Sequence, residues 1–136
     1  MPSQPGRAAR YRVEFDDAAF AEDLRHNTPA ARTAGELEHR QIVKNGLDPL
    51  RLKRCEDVGR DGTKLPKCAK IYIPEPDGPW GMVLELRIDD DRRPYLACLA
   101  FGTRHPTGPG KLSAYQVASR RLERINAATG QDAPEG

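Results

Sequence analysis

Residues 99–122 read LAFGTRHPTGPGKLSAYQVASRRL, and this stretch decides the fold. An apolar run ends at Gly102, after which come a cation, an imidazole and a loop rich in glycine and proline. Ser113 and Gln116 have the spacing of a capping box, and apolar residues recur behind them at helical intervals. The stretch therefore predicts a buried strand, a polar loop and an amphipathic C-terminal helix that begins at Ser113.

Three strands are predicted upstream of that helix. CAKIYI (residues 68–73) and WGMVLELRI (residues 80–88) both show a period-two alternation of apolar residues. In the first of them Lys70 lies opposite the apolar set, so it is predicted to face outward. YLACLAF (residues 95–101) is apolar throughout, which is typical of a central strand. Short turns join the three segments and predict an antiparallel meander.

The N-terminal half predicts one strand and two helices. YRVEF (residues 11–15) alternates as a half-buried strand does. Asp16 can cap a first helix, and Pro29, which follows a threonine N-cap, opens a second helix that ends at Gly46. Helices joined by so short a connection form a hairpin. Residues 47–67 are predicted to be irregular structure or a short strand.

The length of 136 residues, with 38% hydrophobic and 31% charged residues, fits one globular domain. We assign that domain to residues 11–125, between flexible polar tails at residues 1–10 and 126–136. No apolar run approaches the length of about 20 residues that spans a bilayer, and the N-terminus lacks the apolar segment of a signal peptide. A cytoplasmic protein without a membrane partner is expected.

Three cysteines, Cys55, Cys68 and Cys98, are an odd number at spacings that fit neither a zinc ribbon nor a CxxC redox motif. They are predicted to stay reduced. His26 and His39 could join two of them at a metal, but zinc ligands usually come in close pairs and these do not. Neither a metal nor another cofactor is expected.

Charge is distributed unevenly along the chain. Residues 14–38 hold seven acids and two arginines, whereas residues 51–72 hold seven bases and three acids, and residues 101–125 hold five bases and one acid. If the two basic segments meet in space, they form a cationic face that attracts polyanions. The alternative is an ordinary solvated surface.

The order of elements, a strand, two helices, three strands and a helix, resembles that of the RelE/ParE superfamily of bacterial toxins. LAFGTRHP, a loop and SAYQVASRRL are similar to the apolar strand, Gly-x-Arg and basic helix of that family, and PWGMVLEL resembles its preceding strand. The resemblance implies an α+β fold, in which an antiparallel sheet of about four strands is packed by an N-terminal helical hairpin and a C-terminal helix.

The same resemblance implies the toxin of a type II toxin-antitoxin system, held inactive by a cognate antitoxin protein. In the ribonuclease branch of the family the substrate is mRNA in the ribosomal decoding site, and the 2′-OH of one nucleotide attacks the adjacent phosphorus. This chemistry needs a proton acceptor, a donor for the leaving oxygen and cations near the phosphate. Whether this chain requires the ribosome is left open.

Four residues are candidates for catalysis. Arg104 matches the family's arginine after the glycine and would clamp a phosphate. Lys70 lies where the family places a basic residue in the second strand. Tyr115 matches the tyrosine of the last helix, where proton transfer, base stacking and packing are alternative roles. His105 is the best local residue type for proton transfer, and a surface histidine without a role is its alternative.

Four further residues are candidates for binding RNA or phosphate. Lys67 lies at a basic position of the family, before the second strand, and Lys64 is a weaker neighbour. Lys111 and the helix start at Ser113 could form an anion site, since helix N-termini attract phosphate.

The sequence departs from the ribonuclease pattern at Gly81, where those enzymes usually carry an arginine, and in a longer linker at residues 105–114. Two alternatives to a nuclease follow. One is a toxin that acts by binding, such as a gyrase inhibitor of the ParE kind, which Gly81 favours. The other is a non-catalytic module that binds nucleic acid or another partner, which salt-dependent binding without cleavage would indicate.

Overall fold

The computed structural model of the chain describes residues 9–56, 63–73, 79–106 and 111–129. Within these ranges it contains three α-helices, a short 3₁₀ helix at Pro49–Arg51 and one five-stranded sheet. In chain order the elements are β1 (Val13–Phe15), α1 (Asp17–Arg25), α2 (Pro29–Asn45), β2 (Lys53–Arg54), β3 (Cys68–Ile73), β4 (Trp80–Ile88), β5 (Pro94–Thr103) and α3 (Ala114–Thr129). None of the described helices is long and apolar enough to cross a bilayer. Of the predicted tails, residues 1–8 and 130–136 lie outside the described residues, and α3 continues to Thr129.

The sheet has the strand order β1-β5-β4-β3-β2 and is mixed. The α+β class and the antiparallel meander of β3, β4 and β5 are confirmed. The prediction of a wholly antiparallel sheet of about four strands is wrong, because β1 pairs with β5 in parallel and β2 adds a fifth strand beside β3. Tight turns force hairpin strands to be antiparallel, but two helices and three strands separate β1 from β5 along the chain, so β1 can join the open edge of β5 in either direction.

Each helix begins at the residue that its sequence predicts. The side chains of Asp16 and Thr28 accept hydrogen bonds from amides three residues further on, at 3.1 and 3.2 Å. Ser113 and Gln116 form the reciprocal bonds of a capping box, at 2.9 and 3.2 Å. Gly46 ends α2 with a φ of +74°, a conformation that glycine adopts without strain. The local signals of the sequence therefore locate both helices of the hairpin and the start of α3.

The sheet separates two apolar clusters. One cluster lies between the sheet and the helices α1 and α2, and the other lies under α3. Large side chains of the first cluster include Phe20, Ile71, Met82, Leu84 and Phe101. The second cluster includes Cys55, Cys68, Val83, Leu99, Ala118 and Leu122.

A β-bulge in β5 sets the direction of the residues that follow it. The register steps from Ala100 to Cys98 between neighbouring residues of β4, so Leu99 has no opposite residue. Leu99 and Ala100 consequently both pack in the cluster under α3. A bulge reverses the alternation of side chains beyond it. It thereby turns Arg104, the residue after β5, towards the face of the sheet that α3 covers.

A buried ion pair joins α1 and α3 along the free edge of β5. Asp23 is buried, and its carboxylate accepts two hydrogen bonds of 2.8 Å from the Arg121 guanidinium. Asp23 also accepts a bond of 2.9 Å from the amide of Phe101, and Arg121 donates one of 2.9 Å to the carbonyl of Leu99. β1 ends opposite Cys98. The ion pair therefore supplies hydrogen bonds that a longer β1 would have made.

Candidate functional site

Three of the four residues predicted to be catalytic lie together on the face of the sheet that α3 covers. The guanidinium carbon of Arg104 lies 3.9 Å from the centre of the Tyr72 ring. The Lys70 ammonium lies 5.2 Å from the centre of the Tyr115 ring, and the Lys53 ammonium lies 5.3 Å from that of Tyr72. These five residues are called the Arg104 cluster below. Through it, the two basic segments of the sequence meet in space.

Neighbouring strands position the members of the cluster. Lys70 and Tyr72 alternate on β3, and Lys53 lies directly opposite Lys70 on β2. The amide of Arg104 donates a hydrogen bond of 2.8 Å to the carbonyl of Pro79, which extends the backbone pairing one residue beyond β5. Tyr115 lies in the first turn of α3, held there by the capping box. Three elements, β2, β3 and α3, and the residue that follows β5 thus bring two tyrosines and three cations to one place.

Gly81 provides the space in which Arg104 lies. Gly81 pairs with Tyr72 on one side and with Gly102 on the other, so it forms the floor below the cluster. A Cβ added at Gly81 would lie 3.2 Å from Cδ of Arg104 and 3.0 Å from the carbonyl oxygen of Ile71. Both distances are shorter than ordinary van der Waals contacts. The residue that departs from the ribonuclease pattern is therefore the one that admits this arginine.

The Arg104 guanidinium has a donor without a partner. Its Nε is buried and makes no hydrogen bond in the part of the chain that the structure describes. The positive charge of Arg104 also lowers the pKa of the neighbouring Tyr115 hydroxyl. A stacked arginine with remaining donors is suited to a planar or tetrahedral anion, because its N–H groups can meet two oxygens at once.

Tyr115 is a neutral phenol in this environment. Burial raises the pKa of its hydroxyl above the ordinary value of 10.0, and the neighbouring Tyr72 raises it further. Arg104 opposes the shift through its charge and its hydrogen bond, but the net direction is upward. At neutral pH the side chain can therefore donate a proton or a hydrogen bond and cannot serve as a phenolate base.

Tyr72 and Lys53 are the two members of the cluster that no motif indicated. Tyr72 is 38% exposed and follows Lys70 by two residues, which places both side chains on one face of β3. That period-two relation is the signal that could have identified it, since the face chosen for Lys70 is also the face of Tyr72. Lys70 is predicted to face outward. In the structure it is half-buried, because α3 covers that face of the sheet and places Tyr115 beside it.

Two candidates lie close to the cluster in sequence. His105 follows Arg104 and is exposed, and its amide donates a hydrogen bond of 3.1 Å to the hydroxyl of Thr103. Lys111 is also exposed and precedes the capping box. Part of the linker that separates these two residues, 107–110, lies outside the described residues.

The remaining candidates have other surroundings. Lys64 is exposed, and its amide donates a hydrogen bond of 3.0 Å to the hydroxyl of Ser119, about one helical turn beyond Tyr115. Lys67 lies next to the opposite end of β3, where its carbonyl accepts a hydrogen bond from Leu86. Ser113 is buried, and its hydroxyl and amide are both used in the capping box. Of these three residues, only Lys64 lies along the same helix face as the cluster.

The chemistry available in the cluster is that of cations and phenols. Among the described residues, no group of three or more His, Cys, Asp or Glu side chains is arranged to hold a metal ion. The three cysteines, which all lie in the described residues, are not joined by disulfides. The cluster can bind an anion, stabilise developing negative charge and donate a proton.

Comparisons of the chain with protein-family models, with curated proteins and with solved structures gave no significant match. The resemblance to the RelE/ParE superfamily stays a prediction, and the functional conclusion depends on the geometry of the Arg104 cluster.

Proposed function

We propose that the Arg104 cluster binds an RNA phosphate and that the chain is a toxin of a type II toxin-antitoxin system that cleaves mRNA. The stacking of Arg104 on Tyr72 at 3.9 Å, beside a neutral Tyr115, is the observation that carries this proposal. It supplies a fixed phosphate clamp and a proton donor within one cluster, in a protein without a metal centre among its described residues.

The proposed reaction uses these groups in separate roles. The 2′-OH of one nucleotide attacks the adjacent phosphorus, and His105 accepts its proton. Arg104 and Lys70 stabilise the negative charge that develops on the phosphate oxygens. Tyr115 donates its proton to the departing 5′-oxygen, so the products are a 2′,3′-cyclic phosphate and a 5′-hydroxyl end. Tyr72 supports the Arg104 guanidinium, which lies over its ring, and has an exposed surface on which a base can stack.

The resemblance supplies the biological setting of this proposal. The mRNA is bound in the cytoplasm, with or without the ribosome, and a cognate antitoxin protein restrains the toxin. The acidic segment of residues 14–38 is a poor surface for RNA, so we assign it to the antitoxin or to solvent. Co-purification with the product of a neighbouring gene tests the partner, and a harmless protein expressed alone would count against it.

Binding without cleavage is the second candidate function. The members of the Arg104 cluster are two lysines, an arginine and two tyrosines, and the cluster contains neither a histidine nor a carboxylate, the usual general bases of enzymes. His105 is the residue after Arg104 and is exposed, so the bound RNA must place its 2′-OH beside this imidazole. This composition favours a non-catalytic nucleic-acid-binding module over a gyrase inhibitor, because Gly81 now has a role in accommodating Arg104.

Purified protein and end-labelled single-stranded RNA distinguish these functions. Wild type, Arg104→Ala and the control Arg32→Ala, which alters an exposed arginine of α2, are compared for binding and for cleavage. A nuclease loses cleavage by a factor of about 100 or more in Arg104→Ala only. Binding that is lost in Arg104→Ala, without cleavage by any variant, would favour the second candidate. Equal behaviour of Arg104→Ala and wild type contradicts the role of the Arg104 cluster in either function.

A further inference from the structure

Two cysteines face each other across the short ladder between β2 and β3. The register pairs Lys53 with Lys70 and Arg54 with Ala69, so the next residues, Cys55 and Cys68, are opposite each other. The amide of Cys55 donates a hydrogen bond of 3.1 Å to the carbonyl of Cys68, which continues the ladder through this pair. The two cysteines therefore have the relation of a directly opposed antiparallel pair.

Both side chains lie on the same face of the sheet. Cys55 and Cys68 are each only 4% exposed and pack in the apolar cluster under α3. In a hydrogen-bonded antiparallel pair the Cα atoms are about 5.5 Å apart. This separation falls within the range of about 4.4–6.8 Å that a disulfide spans without moving the backbone.

Cys98 cannot join this pair. It packs against the cluster on the opposite side of the sheet, beside α1 and α2. Its thiol donates to the carbonyl of Ala100 at 3.8 Å. The sheet itself thus divides the odd number of cysteines into one opposed pair and one isolated thiol.

The geometry points to Cys55 and Cys68 as a redox-active pair that closes to a disulfide across the β2–β3 ladder. The oxidant is a peroxide: the Cys55 thiolate attacks one peroxide oxygen, which gives a sulfenic acid at Cys55 and releases the other oxygen as water. The Cys68 thiolate then attacks the sulfenic sulfur, the S–S bond forms and a second water leaves. Two thiols are oxidised, and one hydrogen peroxide is reduced to two waters.

The roles of Cys55 and Cys68 in this scheme can be exchanged without changing the disulfide that forms. The positive charge of Lys70 favours the thiolate form of Cys55. Cys55 in turn raises the pKa of the Tyr115 hydroxyl. Burial opposes ionisation and is the larger effect, so the pKa of Cys55 is raised and the reaction is slow. A buried disulfide is correspondingly protected against reduction. Since β2 contains only Lys53 and Arg54, the bond would fix the strand that carries Lys53 into the Arg104 cluster.

The test uses the full reduced chain in its folded state, treated with hydrogen peroxide. After quenching, the protein is denatured, alkylated and digested, which separates Cys55 from Cys68 at Lys64 and Lys67. The expected product is a linked Cys55–Cys68 peptide that lacks the mass of two hydrogen atoms and is released by dithiothreitol, with Cys98 alkylated. The oxidised chain is expected to melt at a temperature roughly 5–10 °C higher than the reduced chain. Cys98→Ala keeps the link and the shift, and Cys68→Ala loses both.

Recovery of Cys55 and Cys68 as separately alkylated thiols or as sulfinic acids would overturn this inference, as would a link that contains Cys98. The peptide map of the wild type decides the question even if Cys68→Ala does not fold. None of these readouts involves RNA, so the inference stands or fails independently of the proposed nuclease.

Discussion

Arg104 and Gly81 act together at the scale of single residues. The glycine lies in the strand next to β5 and leaves room for the aliphatic part of the arginine, while Tyr72 supports the guanidinium from the side. A Cβ at position 81 would lie 3.0 Å from the carbonyl oxygen of Ile71 and 3.2 Å from Cδ of Arg104, so one or both of these groups would have to shift although every charged group of the cluster remained. The site therefore depends on the absence of one carbon atom as well as on its cations.

Gly81→Ala is expected to weaken RNA binding by a factor of 10 or more, because its Cβ would lie 3.2 Å from Cδ of Arg104. The matched control is Gly102→Ala in the opposite residue of β5, whose Cβ would meet Ala114 at an ordinary 3.8 Å. Fluorescence anisotropy with a labelled single-stranded RNA measures both variants. Wild-type affinity in a folded Gly81→Ala protein is the result that contradicts this role of Gly81.

Cys98 predicts how stability changes at alkaline pH. Burial, helped by the carboxylate of Asp23, raises the pKa of its thiol from 9.0 to about 12. The unfolded chain loses this proton above about pH 9 while the folded chain keeps it, so the free energy of unfolding falls as the pH rises towards 12. Cys98→Ala is expected to show a smaller fall in urea titrations across this range. An identical pH dependence in the two proteins would rule out this contribution.

The sequence motifs indicate Arg104, Lys70 and Tyr115. They do not predict that Gly81 leaves space for Arg104 or that Tyr72 belongs to the cluster. A motif reports which residue type stands at a position. Whether a glycine marks a missing contact or a required space depends on the neighbouring strand, and only the register of β3, β4 and β5 supplies that neighbour.

At the scale of elements, the free edge of β5 is held by helices. Asp23 of α1 and Arg121 of α3 bind each other and also the backbone of β5. The arrangement fixes both helices against the strand that leads to Arg104. It replaces strand pairing where β1, with three residues, has already ended.

Asp23→Ala is expected to lower the free energy of unfolding by about 3–5 kcal/mol, because it leaves the Arg121 guanidinium and the Phe101 amide without their buried acceptor. Glu22→Ala is the control, since that carboxylate is 53% exposed and lies 3.2 Å from the same guanidinium. Its loss should cost less than about 1 kcal/mol. Equal losses for the two substitutions in urea denaturation would show that the buried ion pair contributes no more to the free energy of unfolding than the exposed one.

Elements that depend on local signals are predictable here, and those that depend on partners are not. Asp16, Thr28 and Ser113 cap the helices they were expected to cap, because capping involves residues within one turn. β2 has two residues, too few to produce an alternation pattern. The bulge at Leu99 leaves no mark in an apolar run, since it exists only in the register with β4.

At the scale of the whole molecule, the sheet separates two different sides. The helical hairpin covers one face and belongs to the acidic part of the sequence, whereas α3 and the Arg104 cluster lie on the other face, where the two basic segments meet. The parallel pairing of β1 is a property of this scale, because it depends on how the chain crosses the sheet from the edge at β1 to the edge at β2 before it returns to β5. The order of elements predicts the class of fold, but it does not give that direction.

Because the Arg104 cluster and α2 lie on opposite faces of the sheet, their cations should contribute differently to the salt dependence of RNA binding. The double variant Lys53→Ala and Lys70→Ala removes two cations from the cluster and should reduce the slope of log affinity against log salt by about 1.4 for single-stranded RNA. The matched variant Arg32→Ala and Arg40→Ala removes two exposed cations from α2 and should leave the slope unchanged. Titrations at several salt concentrations measure both slopes, and an equal reduction in the two variants would place RNA binding outside the Arg104 cluster.

The most direct test of the proposed nuclease maps RNA 5′ ends across the transcriptome after brief induced expression of wild type and of Arg104→Ala at equal protein levels. We expect new 5′-hydroxyl ends within translated messages for the wild type and their absence for Arg104→Ala. The same new ends in both proteins, or no new ends in either, would contradict the assignment of the Arg104 cluster as an RNA-cleaving site.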